Sequence, residues 1–189
     1  MKPLNSKYFL ILVLFFFCGC EEAYYHPKPK SYFRIDFREK SYEPADIKLP
    51  FRFEIPNYSR IETTDSGNKF NLAIPEHKAR IYFSYFPLDE KNFQPLLEEA
   101  YNYAYTHNQK ASAINTKSIY FEEKNVSGLI YDLKGNVASP IQFFITDSTN
   151  HFLRGGLYFL HKPQADSIAP VIEYVKEDIQ HIYKTINWD

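Results

Sequence analysis

Cysteine is scarce in this sequence. The 189 residues contain two, Cys18 and Cys20, both close to the N-terminus. Exported domains often rely on disulfides, and closed structural zinc sites are usually built from thiolates. Residues 21–189 have no thiol for either purpose. The sequence therefore excludes a disulfide-stapled scaffold, argues against a structural zinc site, and leaves stability to a hydrophobic core.

An excess of charge of one sign is also lacking. The chain has 22 Lys and Arg against 23 Asp and Glu, which gives a formal net charge of −1. Proteins that bind nucleic acid or an anionic membrane surface usually carry a basic excess. We therefore expect no nucleic-acid partner.

Motifs that carry catalysis or bind cofactors are missing. There is no G-x-S-x-G elbow, H-E-x-x-H helix, phosphate-binding loop or dinucleotide fingerprint. The six histidines show no helical ligand spacing. Asp147, Ser148 and His151 cluster within five residues, as a catalytic triad or as a polar hairpin turn; turn composition favours the second interpretation. We expect no enzyme activity, catalytic residue, metal ligand or cofactor.

The sequence has one long apolar run, from Phe9 to Phe17. It is too short to span a bilayer, which takes about 20 apolar residues. Lys2 and Lys7 precede it and Cys20 follows, the order found in a secretory signal. We predict a lipoprotein signal peptide over residues 1–19; the alternative is an uncleaved N-terminal anchor helix.

Cys20 is the better lipid acceptor of the two cysteines. Gly19 precedes Cys20, whereas bulky Phe17 precedes Cys18, and signal cleavage requires a small residue before the cut. The pattern resembles a bacterial lipobox in which Phe17 replaces the usual Leu. That resemblance implies a diacylglycerol thioether on Cys20, cleavage before it and usually a third acyl chain. Lipid on Cys20 would anchor the chain stably to a membrane.

Residues 20–30 read as an extended, lipidated tether. Pro27 and Pro29 alternate with lysines, which favours a polyproline conformation. The acidic pair Glu21-Glu22 resembles surface-export signals of Bacteroidetes lipoproteins, and a simple solvated tether is the alternative. The remainder, residues 31–189, is predicted to form a single globular domain.

Short alternating runs and two amphipathic stretches predict an α+β fold, with antiparallel strands packed against helices. The order of elements resembles a PsbP or Mog1-type sandwich. Gly155-Gly156 suggests a bulge or a close backbone approach within the last strand. The predicted strands are 32–37, 51–55, 60–64, 69–74, 80–86, 118–122, 128–133, 141–146 and 152–160.

Two helices are predicted. The first covers 92–111, with Asn92 as its N-cap and an apolar stripe that includes Tyr101 and His107. The second starts at Asp166 or Ser167. Its apolar face comprises Ile168, Val171, Ile172, Val175, Ile179, Ile182, Tyr183 and Ile186, and its polar face comprises Glu173, Lys176, Glu177, Asp178 and Gln180.

Three segments and the lipobox at Cys20 carry a specific resemblance. They are HPKPKSYFRIDF at 26–37, HFLRGGLYF at 151–159 and DSIAPVIEYVKEDIQHIYKTINW at 166–188. Together they resemble the gliding-motility lipoprotein GldD family of Bacteroidetes, with Ser31 in place of an expected glycine. The resemblance implies a cell-envelope lipoprotein, required for gliding, that associates with the type IX secretion and motility apparatus. It carries over no catalytic residue.

Two functions of different class follow. In the first, the domain is a structural or assembly component that binds other gliding and secretion envelope proteins, and it would show an exposed aromatic patch with a polar rim. In the second, it binds a small ligand such as a glycan, in a pocket with aromatic walls and convergent polar groups. In both, lipid on Cys20 holds the protein to a membrane, at the periplasmic side or at the outer membrane.

Two serines are candidates for O-glycosylation. Asp147-Ser148-Thr149 and Asp166-Ser167-Ile168 resemble the motif that Bacteroidetes glycosylate in exported proteins. The competing interpretation of Ser167 is a helix cap, whereas Ser148 lies in a predicted hairpin turn with no such role. Ser148 is therefore the better candidate.

Overall fold

A computed structural model of the chain describes residues 35–64, 67–106, 110–160 and 165–189. These residues belong to one compact unit, Tyr32–Asp189. The predicted signal peptide, Cys20 and the tether lie outside the described residues.

A seven-stranded antiparallel sheet organises this unit. Two meanders build it, and they join where β6 pairs with β10, so that the strand order is β4-β5-β6-β10-β9-β8-β7. Short turns connect neighbours within each meander, which is the usual result when alternating segments are close in sequence. The strands are β4 (Arg60–Thr63), β5 (Lys69–Ile74), β6 (Ala79–Pro87), β7 (Ala113–Phe121), β8 (Val126–Lys134), β9 (Ile141–Thr146) and β10 (His151–Phe159).

One helix lies on each face of the sheet. Helix α1 (Phe93–Thr106) connects the two meanders and buries Leu96, Ala100 and Ala104 against the half of one face that β8, β9 and the start of β10 form. Helix α2 (Ala165–Thr185) follows β10 and packs its apolar stripe against the opposite face. The larger core lies beneath α2.

Two small ribbons extend the core on the α2 side. Strand β1 (Tyr42–Pro44) pairs with β3 (Glu54–Pro56), and β2 (Phe51–Arg52) pairs with the last strand, β11 (Asn187–Trp188). Phe51, Phe53 and Ile55 are buried from these ribbons. Aromatic rings fill much of this core; those of Phe70 and Phe83, for example, stack with centroids 4.6 Å apart.

The α+β class, with antiparallel sheets and two helices, is confirmed. All seven strands predicted from residue 60 onward form, although β7 begins five residues earlier than the predicted start at Ser118. Strand β7 lies at the edge of the sheet, and most of its side chains are exposed, so its sequence has little apolar alternation. Strand β7 is defined instead by its backbone pairing with β8, which continues along its whole length.

Two strand predictions were wrong in part. Residues 35–37 form no strand, and 32–34 lie outside the described residues. The run 51–55 is divided at Phe53 into β2 and β3, which pair with β11 and β1 rather than with the main sheet. The partner of β2 is therefore distant in sequence, and the partner of β3 is a nearby strand that was not predicted.

The helix boundaries and faces also differ. Helix α1 ends at Thr106, and its predicted stripe residue Tyr101 is half exposed. Asn92 accepts the first helical hydrogen bond through its carbonyl, but its side-chain oxygen accepts the N–H of Asp89 rather than that of a helix residue. Helix α2 begins at Ala165, so Asp166 and Ser167 lie inside its first turn and are not caps.

The Gly155-Gly156 pair forms no bulge, because the register with β6 and β9 is continuous through both residues. A Cβ on Gly155 would lie 2.2 Å from the ring of Phe143, in the core beneath α2. The close approach is therefore made by an aromatic side chain and not by backbone.

Candidate functional site

The face of the sheet that carries α1 is only half covered. Helix α1 packs on Tyr131, Leu133, Phe144 and Phe152, which lie toward the β8 side. The neighbouring surface over β5, β6 and β10 has no helix among the described residues. An open groove forms there.

The register of the sheet places the groove residues in rows. Tyr82 of β6 is opposite Gly156 of β10, and Gln142 of β9 continues this row. Ser84 is opposite Arg154 in the next row. Because strand side chains alternate between faces, these residues all lie on the α1 side of the sheet.

The groove encloses about 350 Å³. Tyr103 of α1 lines one side, and β5 lines the other. None of its described lining residues is Asp or Glu. They are Thr64, Lys69, Asn71, Tyr82, Phe83, Ser84, Tyr103, Gln142, Arg154, Gly155, Gly156 and Tyr158.

The two arginines near the groove are held by glutamates. Arg154 lies 3.1 Å from Glu99 of α1, and its guanidinium is 4.4 Å from the ring centre of Tyr103. Arg80 lies 2.9 Å from Glu62 at the β4 side. Glu99 offsets the charge of Arg154, whereas Glu62 is shared between Arg80 and Arg60.

A second feature is a buried charged cluster beneath the N-terminal arm, which we define as residues 35–44. Asp178 of α2 is 0% exposed. Lys40 donates to its Oδ1 at 2.6 Å, and the hydroxyl of Tyr58 donates to its Oδ2 at 2.7 Å. Tyr42 donates to Oδ1 at 3.1 Å. The carboxylate thus receives three donors from segments more than 100 residues away in sequence.

The electrostatics of this cluster keep its tyrosines protonated. Burial, then the negative charge of Asp178, raises the pKa of Tyr42 well above its ordinary value. Burial also raises the pKa of Tyr58, together with hydrogen bonds to Tyr174 and Asp178. Both hydroxyls therefore remain donors at any physiological pH.

Aromatic contacts cover the same cluster. Lys40 also donates to the carbonyl of Tyr174 at 2.6 Å and lies 4.0 Å from the centre of its ring. Phe37 stacks on Tyr174 with centroids 4.4 Å apart, and His77 makes edge contacts with both rings. Burial lowers the pKa of His77. The arm is therefore attached to α2 by a paired charge and by stacked rings.

Of the predicted modification sites, the two serines lie at the surface. Ser148 is exposed at the tip of the β9–β10 turn and has a φ of 66°. Ser167 is exposed in the first turn of α2. Cys20 lies outside the described residues, and its lipidation remains a prediction.

The residues of the polar turn do not form a catalytic relay. Asp147 accepts the backbone N–H groups of Thr149, Asn150 and His151 at 2.8–3.0 Å, as a turn residue does. Nδ1 of His151 lies 2.9 Å from the hydroxyl of Tyr85, and its ring stacks on Trp188. Asp147, Ser148 and His151 therefore form the turn that their composition predicts.

The remaining histidines are dispersed. His181 of α2 lies 2.7 Å from Glu54, while His26, His107 and His161 are outside the described residues. In the parts of the chain that the structure describes, no three His, Cys, Asp or Glu residues are grouped as a metal ion would require. Among the same residues, no helix has the length and apolar character needed to cross a membrane.

Sequence reasoning missed both features. It assigned Asp178 to the polar face of α2, yet the arm and Tyr58 cover this residue completely. A signal was present, because Val171, Val175, Asp178 and Ile182 follow each other at intervals of four, three and four residues, the spacing of one helix face. The groove depends on the register between β6 and β10, for which the sequence offers no local signal.

These observations define the class of protein: a compact α+β domain with an open polar-aromatic groove and an N-terminal arm attached through a buried charge. The family model of the gliding motility lipoprotein GldD matches residues 22–188. The chain belongs to this family. It is thus a gliding-motility lipoprotein, held at a membrane of the cell envelope. No curated protein matches the chain.

Proposed function

We propose that the protein is a non-enzymatic structural or assembly component of the gliding machinery, associated with the type IX secretion apparatus and anchored through lipid on Cys20. The observation that carries the proposal is the attachment of the N-terminal arm to α2. Lys40 and Asp178 make this attachment at 2.6 Å.

The N-terminal arm has a fixed place within the domain. Lys40 contacts both the carboxylate of Asp178 and the ring and carbonyl of Tyr174, so the arm lies at a defined position on α2. The surface that the arm and α2 form together is therefore constant, which suits a component that other proteins of an assembly must recognise.

The alternative of a catalytic role has little support in the described residues. Asp147 is engaged by the backbone of its own turn, and His151 faces Tyr85 and Trp188. Nucleophilic catalysis requires a hydroxyl within hydrogen-bond reach of a base. Two hydroxyls do lie near a base, that of Thr149 at 3.0 Å from Asp147 and that of Tyr85 at 2.9 Å from His151, but no hydrogen bond joins Ser148 to Asp147 or His151.

Crosslinking in the native host tests the assembly role. A photo-crosslinking residue would replace Tyr120, which is 69% exposed on the edge strand β7, in the tagged, lipidated chain. We expect capture of a defined set of gliding or secretion proteins. Asp178→Asn should reduce both that capture and gliding while leaving the protein in the membrane fraction.

Glu173→Gln provides the matched control, since Glu173 is exposed on the same helix and takes no part in attaching the arm. It should leave capture and gliding unchanged. Normal gliding by the Asp178→Asn variant, or a wild-type chain that captures no envelope protein, would count against the assembly role.

A further inference from the structure

The floor of the groove is formed by Gly156, which has no side chain. Gly156 lies between Tyr82 and Gln142 across three adjacent strands. A Cβ there would lie 3.2 Å from the ring of Tyr158 and 3.5 Å from Oγ of Ser139. Any larger side chain at position 156 would therefore fill the depression between the tyrosines.

Three tyrosines present their rings to the groove. Tyr82 is 41% exposed and Tyr103 is 46% exposed, which is unusual for rings of this size. Tyr158 packs edge-on to Tyr82, with centroids 5.3 Å apart. Such exposed rings offer flat apolar faces next to polar hydroxyl groups.

Uncommitted hydrogen-bonding groups accompany these rings. The side chains of Lys69, Asn71 and Ser84 line the groove and make no side-chain hydrogen bond or ion pair with the part of the chain that the structure describes. Gln142 is nearly buried, and its Nε2 reaches the carbonyl of Tyr103 only at 3.5 Å. An amide can make up to four hydrogen bonds, so Gln142 also has capacity to spare.

The charge of the groove selects against polyanions. Arg154 is paired with Glu99, which leaves Lys69 as the single cation of the described lining without an acidic partner; Arg80 lies outside that lining, where it shares Glu62 with Arg60. Nucleic acids and other polyphosphates are held mainly by several free Lys or Arg side chains. The groove does not have them.

The position of the groove also selects against an extended peptide. Peptides that add to a sheet bond to the free backbone groups of an edge strand. Strands β6 and β10 are interior and pair on both sides, so their backbone groups are already bonded within the sheet. A ligand here must be recognised through its contacts with side chains alone.

We propose that this groove is a binding site for an uncharged carbohydrate chain, a role separate from the proposed assembly function. A sugar ring has an apolar C–H face that stacks on an aromatic ring and a rim of hydroxyl groups that pair with amides and hydroxyls. The stacking surface is provided by Tyr82, Tyr103 and Tyr158. The hydrogen-bonding groups are provided by Asn71, Ser84 and Gln142. Its volume of about 350 Å³ is at the lower end of the range for small-molecule sites.

The groove is proposed as a binding site and not as a catalytic one. Glycoside hydrolysis generally uses two carboxylates that flank the scissile bond. The described lining of the groove has neither Asp nor Glu, and the adjoining depression at Tyr103 and Tyr158 adds Glu98 and Glu99 from one side only, that of α1.

An oligosaccharide array tests the proposal with the full-length chain purified in detergent. The array would contain neutral and acidic oligosaccharides, with an extended-peptide library as a parallel arm. We expect binding to at least one neutral oligosaccharide and an affinity about tenfold weaker in Tyr82→Ala or Tyr158→Ala. Gly156→Leu should abolish binding by filling the floor.

Tyr120→Ala and Tyr101→Ala are matched controls, because each removes an exposed tyrosine that does not line the groove. Both should bind like the wild-type chain, and melting curves would establish that each variant is folded. Three results would overturn the proposal: no oligosaccharide bound by the wild-type chain, binding that folded groove variants retain, or groove-dependent binding confined to acidic sugars or peptides.

Discussion

The amino group of Lys40 lies 2.6 Å from a carboxylate oxygen of Asp178, 138 residues further along the chain. The Asp178 side chain is 0% exposed, and that of Lys40 is 19% exposed. Burial of a charge is costly unless it is paired and its remaining lone pairs are satisfied. Tyr42 and Tyr58 satisfy those of Asp178, so the cluster tolerates its burial.

Removal of both partners should therefore destabilise the domain by less than the two single losses added together. We expect Lys40→Met to lower the free energy of unfolding by about 3 kcal/mol, because Asp178 then remains buried without a counter-charge. The double variant Lys40→Met, Asp178→Asn should lose less than the sum of the single variants. Urea unfolding of the four proteins measures this difference.

Glu177→Gln serves as the control, since Glu177 also lies near Lys40, at 3.4 Å, but is mostly exposed. Exposed pairs contribute little, and its loss should be below about 0.5 kcal/mol. Additive losses in the double variant would contradict the coupling between Lys40 and Asp178.

Local periodicity explains what the sequence could predict. The stripe of α2 through Val171, Val175 and Ile179 is buried as expected, and β9 has its predicted bounds, because both signals depend on neighbours within a few residues. Edge strand β7 was located only in part, since backbone pairing rather than burial of side chains defines it.

Contacts between distant segments explain the rest. The burial of Asp178 depends on Lys40, Tyr42 and Tyr58, which fold onto α2 from the other end of the domain. The groove depends on β6 pairing with β10, which places Tyr82 opposite Gly156. The spacing of Asp178 places it on the apolar face of α2, but its neighbours in the sequence do not identify its partners, and those of Tyr82 do not indicate that it lies opposite Gly156.

Gly155→Ala should destabilise the domain, because the added Cβ would lie 2.2 Å from the ring of Phe143 in the core. Overpacking of this kind typically costs about 1–3 kcal/mol. Gly156→Ala is the matched control: its closest contact is a ring carbon of Tyr158 at 3.2 Å, and that ring borders the open groove. Thermal unfolding should give a clearly lower Tm for Gly155→Ala; equal values would mean that Phe143 packs elsewhere.

Asp147 should make stability depend on pH. Burial raises the pKa of Asp147, but the backbone N–H groups of His151, Thr149 and Asn150 outweigh this effect, so the pKa is lower than its ordinary value. A carboxyl whose pKa falls on folding stabilises the protein above its unfolded pKa, about 3.9, and loses that contribution as pH falls through its folded pKa.

We therefore expect Asp147→Asn to reduce the free energy of unfolding by about 1–3 kcal/mol at neutral pH. The difference from wild type should stay constant down to about pH 4 and narrow below it. Urea unfolding at several pH values measures it. The control is Glu123→Gln. Because Glu123 is exposed, this substitution should change the free energy of unfolding little at any pH. A difference in the free energy of unfolding that grows as the pH falls would show that the carboxylate is not the stabilising form.

Lipidation should require Cys20 and not Cys18. Cys20→Ala should abolish acylation and leave the precursor uncleaved, whereas Cys18→Ala should be tolerated because the predicted cleavage removes residues 1–19. Metabolic labelling with a radioactive or clickable fatty acid distinguishes the two variants. Label that persists in Cys20→Ala would contradict the assignment of the lipid.

We expect O-glycosylation at Ser148 rather than at Ser167. A glycan is bulky and must lie at the surface, and both serines are exposed. Ser148 stands at the tip of a turn, with a φ of 66°. Ser167 lies within the first turn of α2, in helical backbone rather than at the tip of a turn. Intact-mass measurement of protein from the native host should show an excess over polypeptide plus lipid that is lost in Ser148→Ala and kept in Ser167→Ala; a mass with no excess would remove the prediction.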